Sequence, residues 1–281
     1  MPASHDLPLR DFGETRLDSL QRHAFEYFLQ ETSPANGLVA DTSHPGSTAS
    51  IAATGFGLAT YAVGVTRGWM TRADAVERTL ALLRFLRDSP QGPEPDATGY
   101  KGFYYHFIDM STGRRAGRCE LSTVDTAFLL AGVLTAAAFF DGECEEEDEL
   151  RRLADALYRR AQWTWACNGG ATVTHGWTPE GGFLPYRWEG YDESLLLYVL
   201  GLGSPTHPLP AESYAAWLST YRWKTIYGCE FIYGGSLFMH QYSHVWLDFR
   251  GIQDSFVHEK GIDYFENSRR ATQVQREYAI R

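Results

Sequence analysis

The sequence predicts an all-α protein built as an α/α toroid, in which inner and outer helices alternate along the chain. Uncharged segments rich in small residues alternate with amphipathic segments, as expected where exposed helices cover buried ones. Long loops rich in aromatic residues lie on one side of the inner helices and contain short runs that predict small β-hairpins. A helical bundle and a solenoid are the rival architectures, but no fixed repeat indicates a solenoid.

Three segments have the composition of helices that are buried on nearly all sides. They carry few or no charges and many small or aliphatic residues, and they span residues 49–65, 124–140 and 191–202. An uncharged helix loses the most free energy when it faces water, so we expect these three to lie side by side as inner helices. Residues 236–246 are predicted to form a fourth buried helix.

Amphipathic helices are predicted between these segments, because apolar residues recur there at helical spacing among charged ones. They span residues 15–30, 71–90, 145–163, 211–223 and 263–281. Two pairs, Thr71 with Asp74 and Ser122 with Asp125, have the spacing of capping boxes. Each pair predicts the start of a helix.

One domain is expected over residues 1–281, because no Ser/Pro/Gly-rich linker or charge block interrupts the chain. Residues 1–14 are predicted to be a flexible N-terminal segment. The last predicted helix reaches Arg281 without a Gly cap or a Pro stop. We therefore expect the toroid to be incomplete at its C-terminus.

Charge and cysteine content exclude several classes of protein. The formal net charge of −10 argues against a nucleic-acid partner. The four cysteines form no CxxC pair, which excludes a zinc ribbon and predicts free buried thiols. The first residues have neither a basic leader nor an apolar core, and no apolar stretch of about eighteen residues follows. The chain as written predicts a cytoplasmic protein without a membrane segment, or a periplasmic one if a leader was removed.

An aromatic stretch ahead of the second inner helix predicts a binding site. Tyr105 and His106 lie in it, Asp109 precedes a turn, and Glu120 stands just before the helix start at Asp125. Rings stack on sugar faces, and carboxylates accept hydrogen bonds from hydroxyl groups. These residues therefore suit a neutral, polyhydroxylated ligand.

A long loop at residues 167–190 is predicted to form a hairpin over the mouth of the toroid. Loops of this length are mostly functional or disordered, and its aromatic residues argue against disorder. We predict that Trp177, Tyr186, Trp188 and the following Tyr191 stack on a sugar, with packing in the core as the alternative.

Four blocks of the chain resemble a single family: residues 99–132, 175–208, 240–254 and 263–281. Together they resemble the glucoamylase-like family that contains bacterial β-1,2-glucanases and the glucoamylase-like domain of cyclic β-1,2-glucan synthases. The resemblance extends from Leu17 to Arg281. The resemblance implies that the chain forms an (α/α)6 barrel that hydrolyses a glucan with inversion of the anomeric carbon. It also implies that members of the family continue well past the equivalent of Arg281.

Glycoside hydrolysis normally requires two carboxyl groups, which inverting enzymes hold roughly 6.5 to 9.5 Å apart. The candidates are Asp109, Glu120, Asp125, Glu180, Glu189, Asp192, Glu193 and Glu266. Apolar surroundings raise the pKa of a carboxyl group, so Glu193 suits the general acid. The resemblance implies that Glu193, Glu120 and Asp125 lie in the cleft. Asp125 also has a structural interpretation, because a helix start favours a carboxylate.

The C-terminal blocks supply further polar candidates for the cleft wall. We predict that His240, Gln241, Arg250 and Glu266 contact the substrate. His240 and His244 stand four apart on a predicted helix, a spacing also found in zinc sites, but no HExxH motif is present. We therefore predict neither a metal nor a cofactor.

Three functions are compatible with these residues, each with a glucan oligosaccharide or polysaccharide as the partner. The first is hydrolysis of a glucan, with β-1,2-glucan as the expected substrate and an α-glucan as the alternative. The second is a catalytically silent glucan-binding or chain-length-controlling domain, since aromatic clefts with acids also bind sugars without cleaving them. The third is a polysaccharide lyase on the same fold.

Overall fold

Helices make up most of the protein, and the computed structural model describes residues 14–281. The α-helices are α1 (Glu14–Gln30), α2 (Ile51–Thr66), α3 (Arg72–Asp88), α4 (Thr123–Phe139), α5 (Glu145–Arg160), α6 (Trp163–Ala166), α7 (Leu195–Leu202), α8 (Ala211–Leu218), α9 (Ser255–Glu259) and α10 (Tyr264–Ile280). Two 3₁₀ helices span Leu237–His240 and Tyr242–Val245. The predicted flexible segment, residues 1–14, lies outside the described residues except for Glu14, where α1 begins.

Three small antiparallel sheets accompany the helices. The strands are β1 (Ala49–Ser50), β2 (Gly99–Tyr100), β3 (Phe103–Tyr105), β4 (Phe107–Ile108), β5 (Leu121–Ser122), β6 (Gly176–Thr178), β7 (Gly182–Phe183), β8 (Trp223–Ile226) and β9 (Cys229–Ile232). The pairs β1-β4 and β8-β9 stand alone, and the third sheet has the order β2-β3-β5-β6-β7. The fold is thus mostly helical. The aromatic stretch and the long loop, predicted as separate hairpins, join in one five-stranded sheet.

The three predicted inner helices lie side by side, which confirms their assignment. Helix α4 packs against α2 on one side and against α7 on the other. The α2-α4 crossing is very close, because a Cβ atom on Gly132 would stand 2.1 Å from the carbonyl oxygen of Gly55. Only glycine allows the two backbones to meet at this distance.

The amphipathic helices cover this inner layer. Helices α1 and α3 pack on α2, while α5 packs on both α3 and α4. Arg72 of α3 forms a bidentate pair with the buried Glu147 of α5, with both N···O distances at 2.7 Å. The helices of residues 14–281 form no closed barrel.

Two predicted helices end or begin elsewhere than expected. Helix α7 begins at Leu195 and leaves Glu193 ahead of it, because the Asp192 carboxylate accepts the backbone N–H of Ser194 at 2.9 Å and holds a turn. Helix α8 ends at Leu218, and Trp223 starts a strand instead.

The predicted fourth buried helix, residues 236–246, was wrong. The two 3₁₀ helices there are separated by Gln241, whose φ of −120° lies outside helical geometry. Of the two 3₁₀ segments only His240 and Ser243 are buried. Phe238, Tyr242, Val245 and Trp246 in this segment are residues of lower helix propensity than alanine or leucine.

All four cysteines are free thiols. The prediction of buried thiols holds for Cys167 but is wrong for Cys144, which is exposed at the start of α5. Within residues 14–281, each helix is too short or too polar to span a bilayer.

Candidate active site

The start of α4 holds Asp125 at one end of the inner helix layer. Ser122 caps the helix, because its Oγ accepts the backbone N–H of Asp125 at 3.2 Å. The Ser122 hydroxyl also donates to the Asp125 carboxylate. The predicted helix start with Ser122 as its cap is therefore confirmed, and the Asp125 carboxylate is held by the hydroxyl of Ser122.

His106 lies between two of the predicted acids. Its Nδ1 is 2.8 Å from Oε1 of Glu120, and its Nε2 is 3.5 Å from Oδ2 of Asp125. The backbone N–H of His106 donates to the carbonyl of Glu120 at 2.9 Å, so the chain on either side of the turn is held together. The sequence placed all three residues in one site, and the structure shows that they contact each other.

Glu193 completes the acidic cluster. It precedes α7, which packs against α4, and so it stands near the start of that neighbouring helix. Burial, together with the negative charges of Asp125 and Asp192, raises the pKa of Glu193 to about 7, although the charge of His106 opposes this rise. Near neutral pH, Glu193 therefore carries a proton for a substantial part of the time.

The other two acids are affected differently by burial. Burial raises the pKa of Asp125, although the charge of His106 and the Ser122 hydroxyl oppose this shift. For Glu120 burial also favours the neutral form, but the hydrogen bond from His106, a backbone hydrogen bond and the charges of His106 and His175 together outweigh it, and the net pKa is lowered. The cluster thus combines a proton-carrying acid with an ionised carboxylate, the arrangement that acid-base catalysis needs.

An aromatic wall stands next to the acids. The Trp188 ring stacks on His175 with centroids 3.8 Å apart, and its indole N–H donates to Thr123 of α4 at 2.9 Å. Trp188 is nearly buried, whereas Tyr186, which also approaches His175, is 68% exposed. Of the two, Tyr186 has the free ring surface that stacking on a sugar requires.

Tyr242 is a site residue that the sequence reasoning missed. Its ring packs edge-on against Phe56 of α2 at 5.1 Å and against Phe128 of α4 at 5.6 Å. Burial raises the pKa of Tyr242, and the negative charges of Glu193 and Asp125 raise it further. Its place between His240 and His244 was the available signal, but the segment was interpreted as a buried helix.

Asp109 has a role in a turn. Its carboxylate accepts the backbone N–H groups of Ser111 at 3.0 Å and Thr112 at 2.8 Å. These bonds, with those from the two hydroxyls, lower the pKa of Asp109 to about 2. The oxygen atoms of Asp109 are therefore largely occupied by its own loop.

Two more predicted contacts are paired elsewhere. Glu266 pairs with Arg269 at 2.6 Å and with Arg270 at 2.8 Å, and these partners lower its pKa to about 2. Arg250 pairs with Asp248 at 3.1 Å on an exposed loop. Glu266 and Arg250 therefore have structural roles as members of ion pairs.

Trp177 and Tyr105 lie in the five-stranded sheet. Each faces Leu121 in register, and the Trp177 ring packs on Tyr100 with centroids 5.2 Å apart. Neighbouring residues of a strand point to opposite faces. Trp177 and Leu121 therefore share the face that points away from Glu120.

Tyr191 and His240 lie in the protein interior next to the segment that carries Glu193. Both are buried, with ring centroids 4.8 Å apart, and Nδ1 of His240 is 3.4 Å from the amide of Asn267. Gln241, the next residue, is exposed. Within residues 14–281 no group of three or more His, Cys, Asp or Glu side chains could hold a metal ion.

Comparisons with known proteins find relatives of the same kind as the sequence blocks predicted. Residues 185–281 match the family described as "Putative glucoamylase". Over 308 aligned positions the chain is 26% identical to an exo β-1,2-glucooligosaccharide sophorohydrolase (non-reducing end) from Parabacteroides distasonis, with 97% of this chain and 40% of the relative covered. This chain is related to the glucoamylase-like proteins. The resemblance expected from its sequence blocks is confirmed.

Solved structures share the fold. A "putative glucoamylase" from Bacteroides uniformis superposes with a TM-score of 0.85 at 28% identity, covering 94% of this chain and 65% of that one. An endo-β-1,2-glucanase from Chitinophaga pinensis, solved with sophorotriose and glucose, gives a TM-score of 0.82 at 25% identity, covering 94% and 66%. This chain thus spans about two thirds of these solved proteins and 40% of the sophorohydrolase.

Proposed function

We propose that this glucoamylase-like protein is a glycoside hydrolase that cleaves a glucan, with β-1,2-linked glucose as the substrate. The observation that carries the proposal is the cluster of Glu193, Asp125, Glu120 and His106, in which a carboxyl with a pKa near 7 stands beside an ionised carboxylate. Relatives with β-1,2-glucan substrates in their names support the linkage.

In the proposed mechanism, Glu193 is the general acid. Its proton is transferred to the glycosidic oxygen as the bond to the leaving sugar breaks. Water attacks the opposite face of the ring, which inverts the anomeric carbon, and a second carboxylate acting as general base takes up the proton that this water loses. Glu120 and Asp125 orient the sugar hydroxyls and the attacking water. Tyr242, on whose phenol the charges of Glu193 and Asp125 act, is a further candidate for contact with the sugar.

We also propose that the helices belong to an (α/α)6 toroid. Inner helices α2, α4 and α7 lie side by side, and the outer helices α1, α3 and α5 cover α2 and α4 in alternating chain order. The acids stand at the N-terminal ends of α4 and α7, where the loops between inner and outer helices gather. This arrangement supports a cleft at one end of the toroid.

Product analysis on a panel of α- and β-glucans tests the proposed function. We expect new reducing ends from β-1,2-glucan, and an inverted anomeric configuration in the first product. Unsaturated products that absorb in the ultraviolet would identify a lyase, and binding without products would identify a silent glucan-binding domain. Release from α-glucans alone would overturn the proposed linkage.

A further inference from the structure

We propose that His106 is a positioning residue that bridges Glu120 and Asp125 and holds both carboxylates in place beside Glu193. This inference rests on the proposed function, because it assigns a role within the same cluster. His106 acts through the two acids and does not itself contact the substrate. The observation behind this inference is that both ring nitrogens contact carboxylate oxygens.

Both nitrogens of the imidazole ring face carboxylate oxygens. Nδ1 is 2.8 Å from Oε1 of Glu120, and Nε2 is 3.5 Å from Oδ2 of Asp125. A carboxylate only accepts hydrogen bonds, so the favoured ring carries a proton on both nitrogens and is positively charged. The bridge is therefore a cation between two anions.

The ring is also fixed in orientation. It stacks on Phe107 with centroids 4.1 Å apart and an angle of 10° between the planes. The backbone N–H of His106 donates to the carbonyl of Glu120, and the next residue, Phe107, pairs with Ser50 at the start of α2. Because stacking and backbone pairing act together, the two nitrogens keep their directions when a substrate enters.

Several charged groups face His106. Glu120 and Asp125 contact it, and the charges of Glu193 and Asp41 also act on the cluster around it. Burial lowers the pKa of His106, but the hydrogen bond to Glu120 and the negative charges outweigh this effect, so the net pKa is raised. His175 also acts on Glu120, but burial lowers its pKa, so of the two histidines His106 is the one whose surroundings favour the cation.

The charge of His106 affects which of the two acids, Asp125 or Glu193, carries a proton. A positive charge beside Asp125 favours its ionised form, although burial alone would protonate it. The same charge lowers the pKa of Glu193, which burial and the two aspartates raise. His106 thus keeps Asp125 available as a carboxylate and sets the pH at which Glu193 releases its proton.

An NMR titration of the imidazole nitrogens tests the bridge without any turnover. In the unmodified chain, we expect His106 to titrate above the ordinary value of about 6.5. Glu120→Gln and Asp125→Asn each remove one charge and should lower that pKa by about 1. A pKa at or below the ordinary value that neither variant changes would overturn the inference.

Two isosteric variants then test the role in catalysis. The amide of His106→Asn reaches the place of Nδ1, and that of His106→Gln the place of Nε2, but neither carries a charge. Both limbs of the kcat/KM profile should move to higher pH by about 0.5 to 1, because the pKa values of Asp125 and Glu193 rise. His44→Gln, in an exposed turn, is the control and should leave the profile unchanged.

The two proposals fail in different ways. If the unmodified chain hydrolyses no glucan, the proposed function falls and the titration alone decides the bridge. If it hydrolyses glucan and both His106 variants keep the unmodified profile at reduced rate, His106 only packs the site and the positioning role is wrong. Circular dichroism of each variant identifies loss of fold, and in that case the titration of the unmodified chain and the Glu120→Gln chain decides.

Discussion

At the residue scale, Glu193 shows how position changes the chemistry of a common side chain. It is half-buried ahead of α7, with Asp125 and Asp192 as negative neighbours, and these surroundings raise its pKa to about 7. A carboxyl group whose pKa lies near the working pH is both protonated often enough and acidic enough to transfer its proton. The burial of one residue between two like charges thus creates the candidate acid.

Replacing Glu193 by Gln should separate binding from chemistry. The amide keeps the shape of the side chain but has no transferable proton, so we expect turnover to fall by about 10² to 10⁴ while glucan binding persists. Rate assays and calorimetric titration with an oligosaccharide measure the two effects. Glu189→Gln, an exposed acid four residues earlier, is the matched control. If Glu193→Gln kept turnover within about twofold and Glu120→Gln abolished it, Glu120 would be the acid.

The pH profile should report the surroundings of Glu193. Its raised pKa means that the protonated form is present below about 7 and lost above it, so kcat/KM should decline as the pH rises through that value. Asp192→Asn removes one of the two negative neighbours but keeps the oxygen that accepts the Ser194 N–H. The alkaline limb should then move to lower pH. A limb that stays in place or moves upward would contradict the assignment.

At the element scale, the crossing of α2 and α4 shows how small residues build the inner layer. The two helices approach until the carbonyl of Gly55 faces Gly132 and the carbonyl of Phe128 faces Gly55. Close contact of backbones excludes water and leaves no space for side chains. The N-terminus of α4, and with it Asp125, takes its position from this crossing.

Gly132→Ala should destabilise the protein although alanine favours a helix. The added Cβ would stand 2.1 Å from a backbone oxygen, so α2 and α4 must separate, at a cost of about 1 to 3 kcal/mol. Urea unfolding followed by tryptophan fluorescence measures the difference. An increase in stability of about 1 kcal/mol, the helix-propensity gain, would show that the crossing is loose.

At the scale of the whole molecule, helix α10 is connected through His240 to the segment that carries Glu193. Asn267 of α10 accepts the backbone N–H of Ile232 at 2.7 Å through its Oδ1, so its amide nitrogen is the atom that faces Nδ1 of His240. The His240 ring packs on Tyr191, two residues before Glu193. One buried amide thus connects α10 and β9 with the segment that carries the candidate acid.

Asn267→Ala should therefore affect both stability and turnover. It leaves the buried N–H of Ile232 without its acceptor, which costs about 1 to 3 kcal/mol. It also removes the partner of His240, so we expect kcat to fall while the unfolding midpoint drops. Gln273→Ala, at an exposed position of the same helix, is the control. A stability loss with unchanged kcat would show that the support does not reach Glu193.

Features that depend on neighbouring residues could be predicted from the sequence. The starts of α3 and α4 followed from Ser or Thr three residues ahead of Asp, because capping uses atoms within one turn. The inner positions of α2 and α4 were predicted because their segments contain few or no charged residues. The prediction of a helix at residues 236–246 was wrong because a segment with apolar and aromatic residues has the same composition whether it forms one helix or two 3₁₀ turns.

The sequence by itself determined that α2 and α4 lie in the inner layer, where the capped helices α3 and α4 begin and which acids stand near aromatic residues, since composition and short spacings contain that information. Only the tertiary structure decided that His106 joins Glu120 to Asp125, that Trp177 turns away from Glu120, and that Tyr242 approaches Glu193. These relations join residues that lie well apart along the chain. They depend on how α4, α7 and the five-stranded sheet pack together, and no local pattern specifies that packing.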